Sequence, residues 1–294
     1  MKYKNKPTFN TEGSIFMSAK TSLEDCKIVI YGVPYDGTTS FRPGTRFGPS
    51  AIRNVSNALE TYCPQLEIDI DEINFADIGN LNIPFGSPEP VINEVEKATK
   101  KFIQNKIKPL MLGGEHSITT GAIKALSNHY KNLIVIQLDA HADLREEWLG
   151  SKHSHACTIK RCLDILPSKT IFQVGIRSGT KHEFEEMKNK KRLINHIKGQ
   201  PCKALEEVLR NYRNHPIYLT IDLDWFDPSI LPGTGTPEPG GFFWDDFKEI
   251  VDILKKHNLI GADVVELAPQ LDSSGISSIL AAKVVRSLII LLNK

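Results

Sequence analysis

Aspartate and histidine side chains close two apolar segments of this 294-residue chain. In LIVIQLDAHADLR, a run of apolar residues is followed by Asp139, His141 and Asp143 at spacings of two. Successive side chains of an extended chain point to opposite sides, so these three lie on one face. The segment IYLTIDLD ends in a similar way, with Asp222 and Asp224. Together the two segments predict a cluster of side chains that could bind a cation.

A third apolar segment, KPLMLGGEHS, adds a histidine. Gly113 and Gly114 permit a tight turn from a strand into a helix, and this turn presents His116 at the same edge of a sheet. Taken singly, an aspartate after a strand is usually a helix cap or a turn residue, and such a histidine is usually an ordinary loop residue. The combination indicates a metal site, because carboxylates packed at one sheet edge repel each other unless a cation neutralises them.

The types of these side chains indicate which metal ion would bind and which class of reaction it would support. Four carboxylates and two imidazoles without a thiolate suit Mn²⁺ or a similar ion better than structural zinc. Six side chains exceed what one open catalytic ion needs, but they suffice for two ions that share bridging carboxylates. Such a pair makes hydroxide available near neutral pH, so the set predicts metal-assisted hydrolysis. A metallophosphoesterase would use similar ligands, but its GNH-type motif and basic phosphate contacts are absent from the sequence.

Short segments rich in β-branched residues must supply the strands that position these side chains. Several are apolar on both faces, which is typical of a parallel sheet covered by helices on both sides. The predicted strands are 27–32, 73–79, 108–114, 133–140, 171–177, 217–224 and 261–267. The predicted helices are 50–62, 88–105, 117–129, 203–212, 244–257 and 277–292, with the charged run 181–192 as a further, solvated helix. Loops at 31–49 and 227–241 follow strands and are expected to build the binding crevice.

Composition and charge restrict the class of partner. The 36 basic and 35 acidic residues are mixed along the chain, so neither a nucleic acid nor a membrane partner is expected. Five cysteines without a CxxC pair argue against a disulfide framework and predict a reducing, cytoplasmic location. No apolar stretch of the length of a signal peptide or a membrane span is found. No repeat or linker divides the chain, so a single domain over residues 1–294 is expected.

The chain resembles the ureohydrolases, the family of arginases and agmatinases, in the order and spacing of several separate motifs. These motifs are GVPYDG, ADIGN, GGEHS, DAHADLR, SHACT, VGIRSG, DLDWFDPSILPGTGTPEPGG and DVVELAP. They cover nearly the whole chain. The resemblance implies an α/β three-layer sandwich with a central, mostly parallel sheet of about eight strands flanked by helices. It also implies a homo-oligomer, either a trimer or a hexamer.

The same resemblance implies two Mn²⁺ ions per subunit and assigns their ligands. One ion would be held by His116, Asp139, Asp143 and Asp222. The other ion would be held by His141, Asp139, Asp222 and Asp224. Asp139 and Asp222 would therefore bridge the two ions, and Asp143 would count among the catalytic residues as well.

Further residues match positions of the family that act on the substrate. His155, in SHACT, matches the general acid that protonates the leaving amine. Glu266 matches the acid that grips the guanidinium group through two parallel hydrogen bonds. Thr236, in the GTGTP segment, is expected to hold Glu266 and so to support substrate binding. As bare residues, His155 could instead start a helix, and Glu266 could be an ordinary acid at a strand end.

The residues after Asp143 bear on which guanidino compound is the substrate. Arginases resemble one another in a small amide residue at the position of Arg145, whereas DLREEW is similar to bacterial agmatinases. Arg145 is therefore a candidate substrate contact. Glu146 or Glu147 could attract the ammonium group of agmatine, although an exposed, solvated helix face is the simpler explanation of both.

The expected reaction is the hydrolysis of agmatine to putrescine and urea, a step of polyamine biosynthesis. Guanidinobutyrase, arginase and formimidoylglutamase share the metal cluster and are alternatives that differ in the outer pocket. A homologue that binds metal without catalysis is the alternative from outside the enzymes, because a fold alone does not establish an activity.

Overall fold

The computed structural model of the protein describes residues 7–11, 13–194 and 201–294. Residues 1–6, where the sequence predicts no signal peptide, lie outside the described residues. In the described ranges the strands form one nine-stranded sheet and one two-stranded sheet. The strands are β1 Phe9–Asn10, β2 Ile28–Val33, β3 Tyr62–Cys63, β4 Ile68–Asp69, β5 Phe75–Leu81, β6 Lys108–Gly113, β7 Ile134–Leu138, β8 Ile171–Val174, β9 Leu193–Ile194, β10 Pro216–Asp222 and β11 Asn258–Val265.

The large sheet is mostly parallel, as predicted. Its strand order is β1-β5-β2-β6-β11-β10-β7-β8-β9. The edge strand β1 pairs with β5 in the antiparallel sense, and the other recorded pairings of this sheet are parallel. Each of the seven predicted strand segments overlaps one strand of this sheet. The two remaining strands, β1 and β9, are two-residue additions at the edges.

Helices cover both faces of the sheet. They are α1 Gly48–Ser56, α2 Pro88–Gln104, α3 Thr119–His129, α4 Thr158–Leu163, α5 Lys181–Asn189, α6 Pro201–Leu209, α7 Trp244–Leu254 and α8 Ile276–Leu292. The predicted helices are confirmed, but α1 ends at Ser56 and not at Tyr62. The reason is that Tyr62 and Cys63 form a strand that pairs with Ile68 and Asp69.

Two hydrophobic clusters, one on each side of the sheet, give the fold its three layers. Alternation along β2 places Ile30 in the cluster that contains residues of α1, α7 and α8, and it places Val29 in the cluster that contains residues of α2 and α3. The burial of strand residues on both sides explains why several predicted strands are apolar throughout. The predicted α/β sandwich is confirmed.

Four strands in the middle of the sheet carry the candidate site. They are neighbours in the order β6, β11, β10 and β7, and they run parallel. Their carboxyl ends therefore meet at one edge, which is where open α/β sheets bind their ligands. The segments that continue from these four ends contain His116, Glu266, the pair Asp222 and Asp224, and the triplet that begins at Asp139.

The cysteines agree with the expectation from composition. All five cysteines are free and buried, as small apolar residues would be. Among the described residues, none of the helices combines the length and the apolarity that crossing a membrane would require.

Candidate metal centre

The carboxyl ends of the central strands place six candidate ligands within reach of one another. His116 begins a 3₁₀ turn just beyond β6, Asp139 directly follows β7, and Asp222 is the last residue of β10. Ligand atoms of these three residues lie within 4.8 Å of one another. The same limit holds for the group of Asp139, His141 and Asp224. Asp139 belongs to both groups, and this is the arrangement that two adjacent ions with a shared carboxylate need.

Asp143 completes the first of these groups. The Nδ1 atom of His116 lies 3.1 Å from Asp143 Oδ2, 3.1 Å from Asp139 Oδ2 and 3.5 Å from Asp222 Oδ2. In the second group, His141 Nδ1 lies 2.8 Å from Asp224 Oδ2. The structure thus brings together all six side chains that the sequence analysis selected as ligands.

The turn that carries His116 depends on glycine. A Cβ atom on Gly114 would lie 1.9 Å from the carbonyl oxygen of Tyr35, and one on Gly113 would lie 2.6 Å from a methyl group of Val265. Both contacts are far below van der Waals distance, so a side chain at either position would push the turn away from β11 or from the loop after β2. The two glycines therefore allow the close packing that brings His116 to the sheet edge.

The buried imidazole of His116 provides the test of whether a metal fits. Its Nδ1 atom is buried and has no hydrogen-bond partner among the described residues. Its Nε2 atom lies 2.8 Å from Thr220 Oγ1, and Thr220 donates its only hydroxyl hydrogen to Asp263 at 2.6 Å. Thr220 must therefore accept a hydrogen bond from Nε2, so in the neutral ring the lone pair is on Nδ1. The lone pair of Nδ1 therefore points toward three carboxylates, and a cation bound between them would accept it.

Burial and mutual repulsion disfavour the ionised forms of two carboxylates in this cluster. Burial, followed by the charges of Asp224 and Asp143, raises the pKa of Asp139 to about 7. Burial and the charges of Asp224 and Asp139 raise the pKa of Asp222 well above its ordinary value. Burial lowers the pKa of His141, but the neighbouring Asp224 outweighs burial and raises it to about 10. A divalent cation at this position would replace these protons and stabilise the ionised carboxylates.

The donor set selects the kind of ion. Its donors are carboxylate oxygens and imidazole nitrogens, a hard to intermediate combination that suits Mn²⁺ and similar ions. Hydrogen bonds from the backbone orient the carboxylates: His141 N donates to Asp139 Oδ1, and Asp224 N donates to Asp222 Oδ1. Gln137 Nε2 also donates to Asp139 Oδ2 at 2.6 Å. These contacts fix the ligands before an ion arrives.

Two further predicted residues, His155 and Glu266, lie beside the cluster. His155 Nδ1 is 3.5 Å from Glu266 Oε1, and the same carboxylate oxygen accepts a hydrogen bond from His116 N at 2.8 Å. Burial lowers the pKa of His155, but its hydrogen bond to Glu266 and the charge of Glu266 outweigh burial and raise it to about 9. The imidazole is therefore protonated at neutral pH, as a proton donor would be.

Two of these acids have a strained backbone conformation. Asp143 has a φ of 52° and Glu266 a φ of 66°, both in the left-handed region that favours glycine. Such strained conformations cluster at functional sites, where the surrounding structure maintains them. Glu266 N also donates to Gly114 O at 2.8 Å, which ties this acid to the turn that carries His116.

A cavity of about 250 Å³ opens beside the cluster. The metal-ligand candidates His141, Asp143 and Asp222 form part of its wall. Its other lining residues include Ser40, Arg145, Trp148, His155, Glu183 and Thr236. The predicted substrate contact Arg145 thus lines the cavity, and its guanidinium group stacks over the ring of Trp148 at 4.1 Å from the centroid.

Two expectations for this region are not met. Thr236 was expected to hold Glu266, but its hydroxyl lies 3.4 Å from Asp224 Oδ2, so it contacts a ligand carboxylate. Glu146 and Glu147 lie in an exposed loop and not on a helix. Glu146 pairs with Lys160 at 2.9 Å and with Arg161 at 3.1 Å, and these cations offset the negative charge that could have attracted an ammonium.

Glu183 is a cavity residue that was not predicted from the sequence. The charged run 181–192 predicts a solvated helix, but Glu183 is only 4% exposed and lines the cavity. Its carboxylate accepts hydrogen bonds from Thr180 N and Leu144 N, and with Thr180 it forms the capping box at the start of α5. The spacing of Thr180 and Glu183 is a signal that could have separated this acid from the solvated charges around it.

Comparison with known proteins gives a consistent result. Residues 26–291 match the model of the arginase family. An agmatinase of Bacillus cereus is 39% identical, with 95% of this chain and 96% of that protein covered. An N(1)-aminopropylagmatine ureohydrolase of Thermococcus kodakarensis is 37% identical over 83% of this chain and 84% of its own length. The crystal structure of the agmatine ureohydrolase of Thermoplasma volcanium is 32% identical, with a TM-score of 0.84 and coverage of 94% of this chain and 93% of that one.

Proposed function

This chain belongs to the arginase family, and from that premise we propose that it is a ureohydrolase that converts agmatine to putrescine and urea. The observation that supports the proposal most strongly is the buried Nδ1 of His116, which faces three carboxylates beside a cavity that His155 also lines. The agmatinase similarity favours agmatine among the guanidino compounds.

We propose two Mn²⁺ ions per subunit, because the donor set is rich in carboxylates and lacks a thiolate. When bound, such a pair supplies hydroxide near neutral pH as the nucleophile. We assign His116, Asp139, Asp143 and Asp222 to one ion, and His141, Asp139, Asp222 and Asp224 to the other. The hydrogen bonds that orient these side chains hold them in place for the ions.

We propose that Glu266 binds the guanidinium group of the substrate. Its carboxylate is held by the backbone amide of His116, next to the proposed metal ligands. A carboxylate can accept two parallel hydrogen bonds from a guanidinium, which fixes the plane of the substrate and aims its central carbon at the nucleophile. The contact with Asp224 gives Thr236 a role in orienting that ligand.

We propose that His155 donates a proton to the leaving amine. Hydrolysis adds one oxygen to the guanidinium carbon and breaks the bond from that carbon to the alkyl nitrogen, which must gain a proton to depart as an amine. The charged imidazole can donate that proton, since its pKa of about 9 keeps it protonated at neutral pH. Urea and the amine are then the two products.

Two groups of opposite charge, Glu183 and Arg145, lie on the cavity wall where we place the far end of the substrate. Glu183 is a buried carboxylate whose two oxygens each accept one backbone hydrogen bond, and each can accept another. We propose that Glu183 pairs with the terminal ammonium of agmatine. Arg145 is turned onto the ring of Trp148, and both residues line the cavity.

Membership of the arginase family also supports proposals for the domain organisation, the oligomeric state and the location of the protein. We propose that residues 1–294 form one ureohydrolase domain, that the chain assembles as a homo-oligomer of three or six copies, and that it serves polyamine biosynthesis in the cytoplasm. The five unpaired cysteines support a reducing compartment.

The test is a comparison of substrates with Mn²⁺ present. Urea release is measured from agmatine, arginine, 4-guanidinobutyrate and N(1)-aminopropylagmatine, and formamide release is measured from formimidoylglutamate. We expect the highest kcat/KM for agmatine. A higher value for another compound would assign a different ureohydrolase activity, and no release from any of them by protein that holds two ions would indicate a protein that binds metal without catalysis.

A further inference from the structure

The loop after β2 contacts His155 at two points. The backbone amide of His155 donates a hydrogen bond to Thr38 Oγ1 at 3.0 Å. The other contact is on the ring, where His155 Nε2 lies 3.0 Å from Ser40 Oγ. The opposite ring nitrogen, Nδ1, faces Glu266. The imidazole is thus bounded by a hydroxyl on one side and a carboxylate on the other.

Thr38 is anchored on a buried acid that the proposed reaction does not use. Glu115 is fully buried, and its two oxygens accept hydrogen bonds from Thr38 N at 2.6 Å and Thr38 Oγ1 at 2.5 Å. Because the hydroxyl of Thr38 donates to Glu115, it is free to accept from the amide of His155. Glu115 immediately precedes His116, so the chain that presents a metal-ligand candidate also fixes the anchor of the loop.

The remainder of the loop is fastened as well. Gly44 N donates to Asp36 Oδ2 at 2.9 Å, and the guanidinium of Arg46 pairs with the same carboxylate. Arg42 donates to the carbonyl oxygens of Thr234 and Gly235, which belong to the loop after β10. Thr38 and Ser40 therefore stand on a fixed segment and not on a free loop.

We propose that Thr38 and Ser40 are positioning residues for His155, with Thr38 holding its backbone and Ser40 holding its ring. This inference rests on the proposed function, in which His155 gives its proton to the departing amine. A hydroxyl suits the task because it accepts a hydrogen bond from a protonated ring nitrogen and donates one to the same nitrogen after the proton has left. Ser40 can therefore hold the ring in both charge states, which a carboxylate or an ammonium cannot do.

The three consecutive residues 38–40 provide matched variants. Ser40→Ala removes the contact with the ring, and Ser40→Thr keeps a hydroxyl there. Thr38→Val removes the contact with the backbone, and Thr38→Ser restores it. Thr39→Val is the control, because the Thr39 hydroxyl is buried in the same loop but has no hydrogen-bond partner among the described residues.

The kinetic test compares these variants for urea release from agmatine with Mn²⁺ present. Since a general acid contributes about 10²- to 10⁴-fold, we expect Ser40→Ala to lower kcat by about tenfold or more, with KM and bound metal near the wild-type values. Ser40→Thr should recover most of the loss, and Thr39→Val should show none. A double-mutant cycle adds a sharper criterion: in a His155→Asn background, Ser40→Ala should have no further effect.

A substrate with a better leaving group separates positioning from general damage. In 3-aminopropoxyguanidine the departing nitrogen is an alkoxyamine, which is much less basic than an alkylamine and needs less help from an acid. Ser40→Ala should therefore lose less activity on this analogue than on agmatine. An equal loss on both substrates, or the same loss in the His155→Asn background, would overturn the proposal.

A spectroscopic measurement keeps the inference separate from the proposed function. The ring ¹⁵N resonances of His155 are recorded without substrate and are assigned by their loss in His155→Asn. Ser40→Ala should shift the Nε2 resonance, and Thr39→Val should not. An unchanged resonance would refute the contact even if the wild-type protein hydrolyses agmatine. A shifted resonance in a protein that hydrolyses no guanidino compound would support the contact and refute only the proposed function.

Discussion

His155 Nδ1 lies 3.5 Å from Glu266 Oε1. Glu266, the proposed ligand of the guanidinium group, therefore also affects the charge of His155, the proposed proton donor to the leaving amine. Burial alone would lower the pKa of His155, and Glu266 reverses this effect and raises it to about 9. Asp143 and Glu115 add further negative charge around the ring. The roles proposed for the two residues are therefore coupled through one contact.

The first prediction is a loss of activity at alkaline pH that depends on His155. A folded-state pKa of about 9, above the ordinary value of 6.5, means that the ring stays charged at neutral pH and loses its proton as the pH rises through about 9. The contribution of this charged ring to the free energy of unfolding is complete below about pH 6.5 and is lost as the pH rises from about 6.5 through about 9. We expect kcat to fall above about pH 9 in a pH profile of the wild-type protein.

The His155→Asn variant is the matched test of this prediction. It should lower kcat by about 10²- to 10⁴-fold and abolish the alkaline fall, while bound metal stays near the wild-type amount. Equal losses of metal and of kcat would place His155 among the metal ligands. An alkaline fall that survives in the variant would assign the titration to another group.

The second prediction concerns the shared and unshared carboxylates. Asp139→Asn and Asp224→Asn each remove a charge from the cluster, so each should lose at least one ion per chain and nearly all turnover. Bound metal is measured by elemental analysis after dialysis, and activity is measured by urea release. The control is Asp227→Asn, a carboxylate just beyond the site that accepts hydrogen bonds from Ser229 and Gly241. Retained activity in a metal-depleted Asp139→Asn or Asp224→Asn protein would refute the mechanism.

The third prediction concerns the hydroxyl and carboxylate behind His116. Thr220 accepts the Nε2 hydrogen of His116 and donates to Asp263, which also accepts from Tyr218 and Thr119. Thr220→Val should weaken metal binding by about 10- to 100-fold, as the loss of such outer partners does. Thr220→Ser should retain wild-type affinity. Titration with Mn²⁺ measures the effect, and equal affinities for Val and Ser would show that Thr220 does not orient the ligand.

The fourth prediction concerns the ammonium end of agmatine. Glu183→Gln removes the negative charge, and its single amide oxygen can keep only one of the two backbone hydrogen bonds, either the bond from Thr180 N that caps α5 or the bond from Leu144 N. A hydrogen bond to a charged group contributes about 1.5–3 kcal/mol, so KM for agmatine should rise by about tenfold or more. KM for 4-guanidinobutyrate, which lacks an ammonium, should stay level or fall. A similar rise for both compounds would place the ammonium away from Glu183.

The metal-ligand candidates could be found from the sequence because they obey short-range rules. Asp139, His141 and Asp143 follow a strand at spacings of two, and Asp222 and Asp224 repeat the pattern. Parallel strands bring their carboxyl ends to one edge, so strands distant in the chain deliver these groups to one place. The fold class was predictable for the same reason, since the segments alternate regularly between strand and helix.

The contacts that could not be predicted from the sequence are determined by the paths of loops. Ser40 lies in an irregular segment, and its contact with His155 joins residues 115 positions apart. Glu183 is surrounded in the chain by solvated charges, and only the packing of α5 against the loop of Leu144 buries it. Thr236 was placed beside the wrong acid because the path of the loop after β10 cannot be derived from its glycines and prolines.

The measurement that tests the central claim most directly is the dependence of urea release on the number of bound ions. Metal-free protein is titrated with Mn²⁺, and bound metal and urea release from agmatine are followed in the same samples. We expect no turnover without metal and maximal turnover at two ions per chain, with at least one ion lost from Asp139→Asn. Full turnover by metal-free protein, or a maximum at one ion per chain, would contradict it.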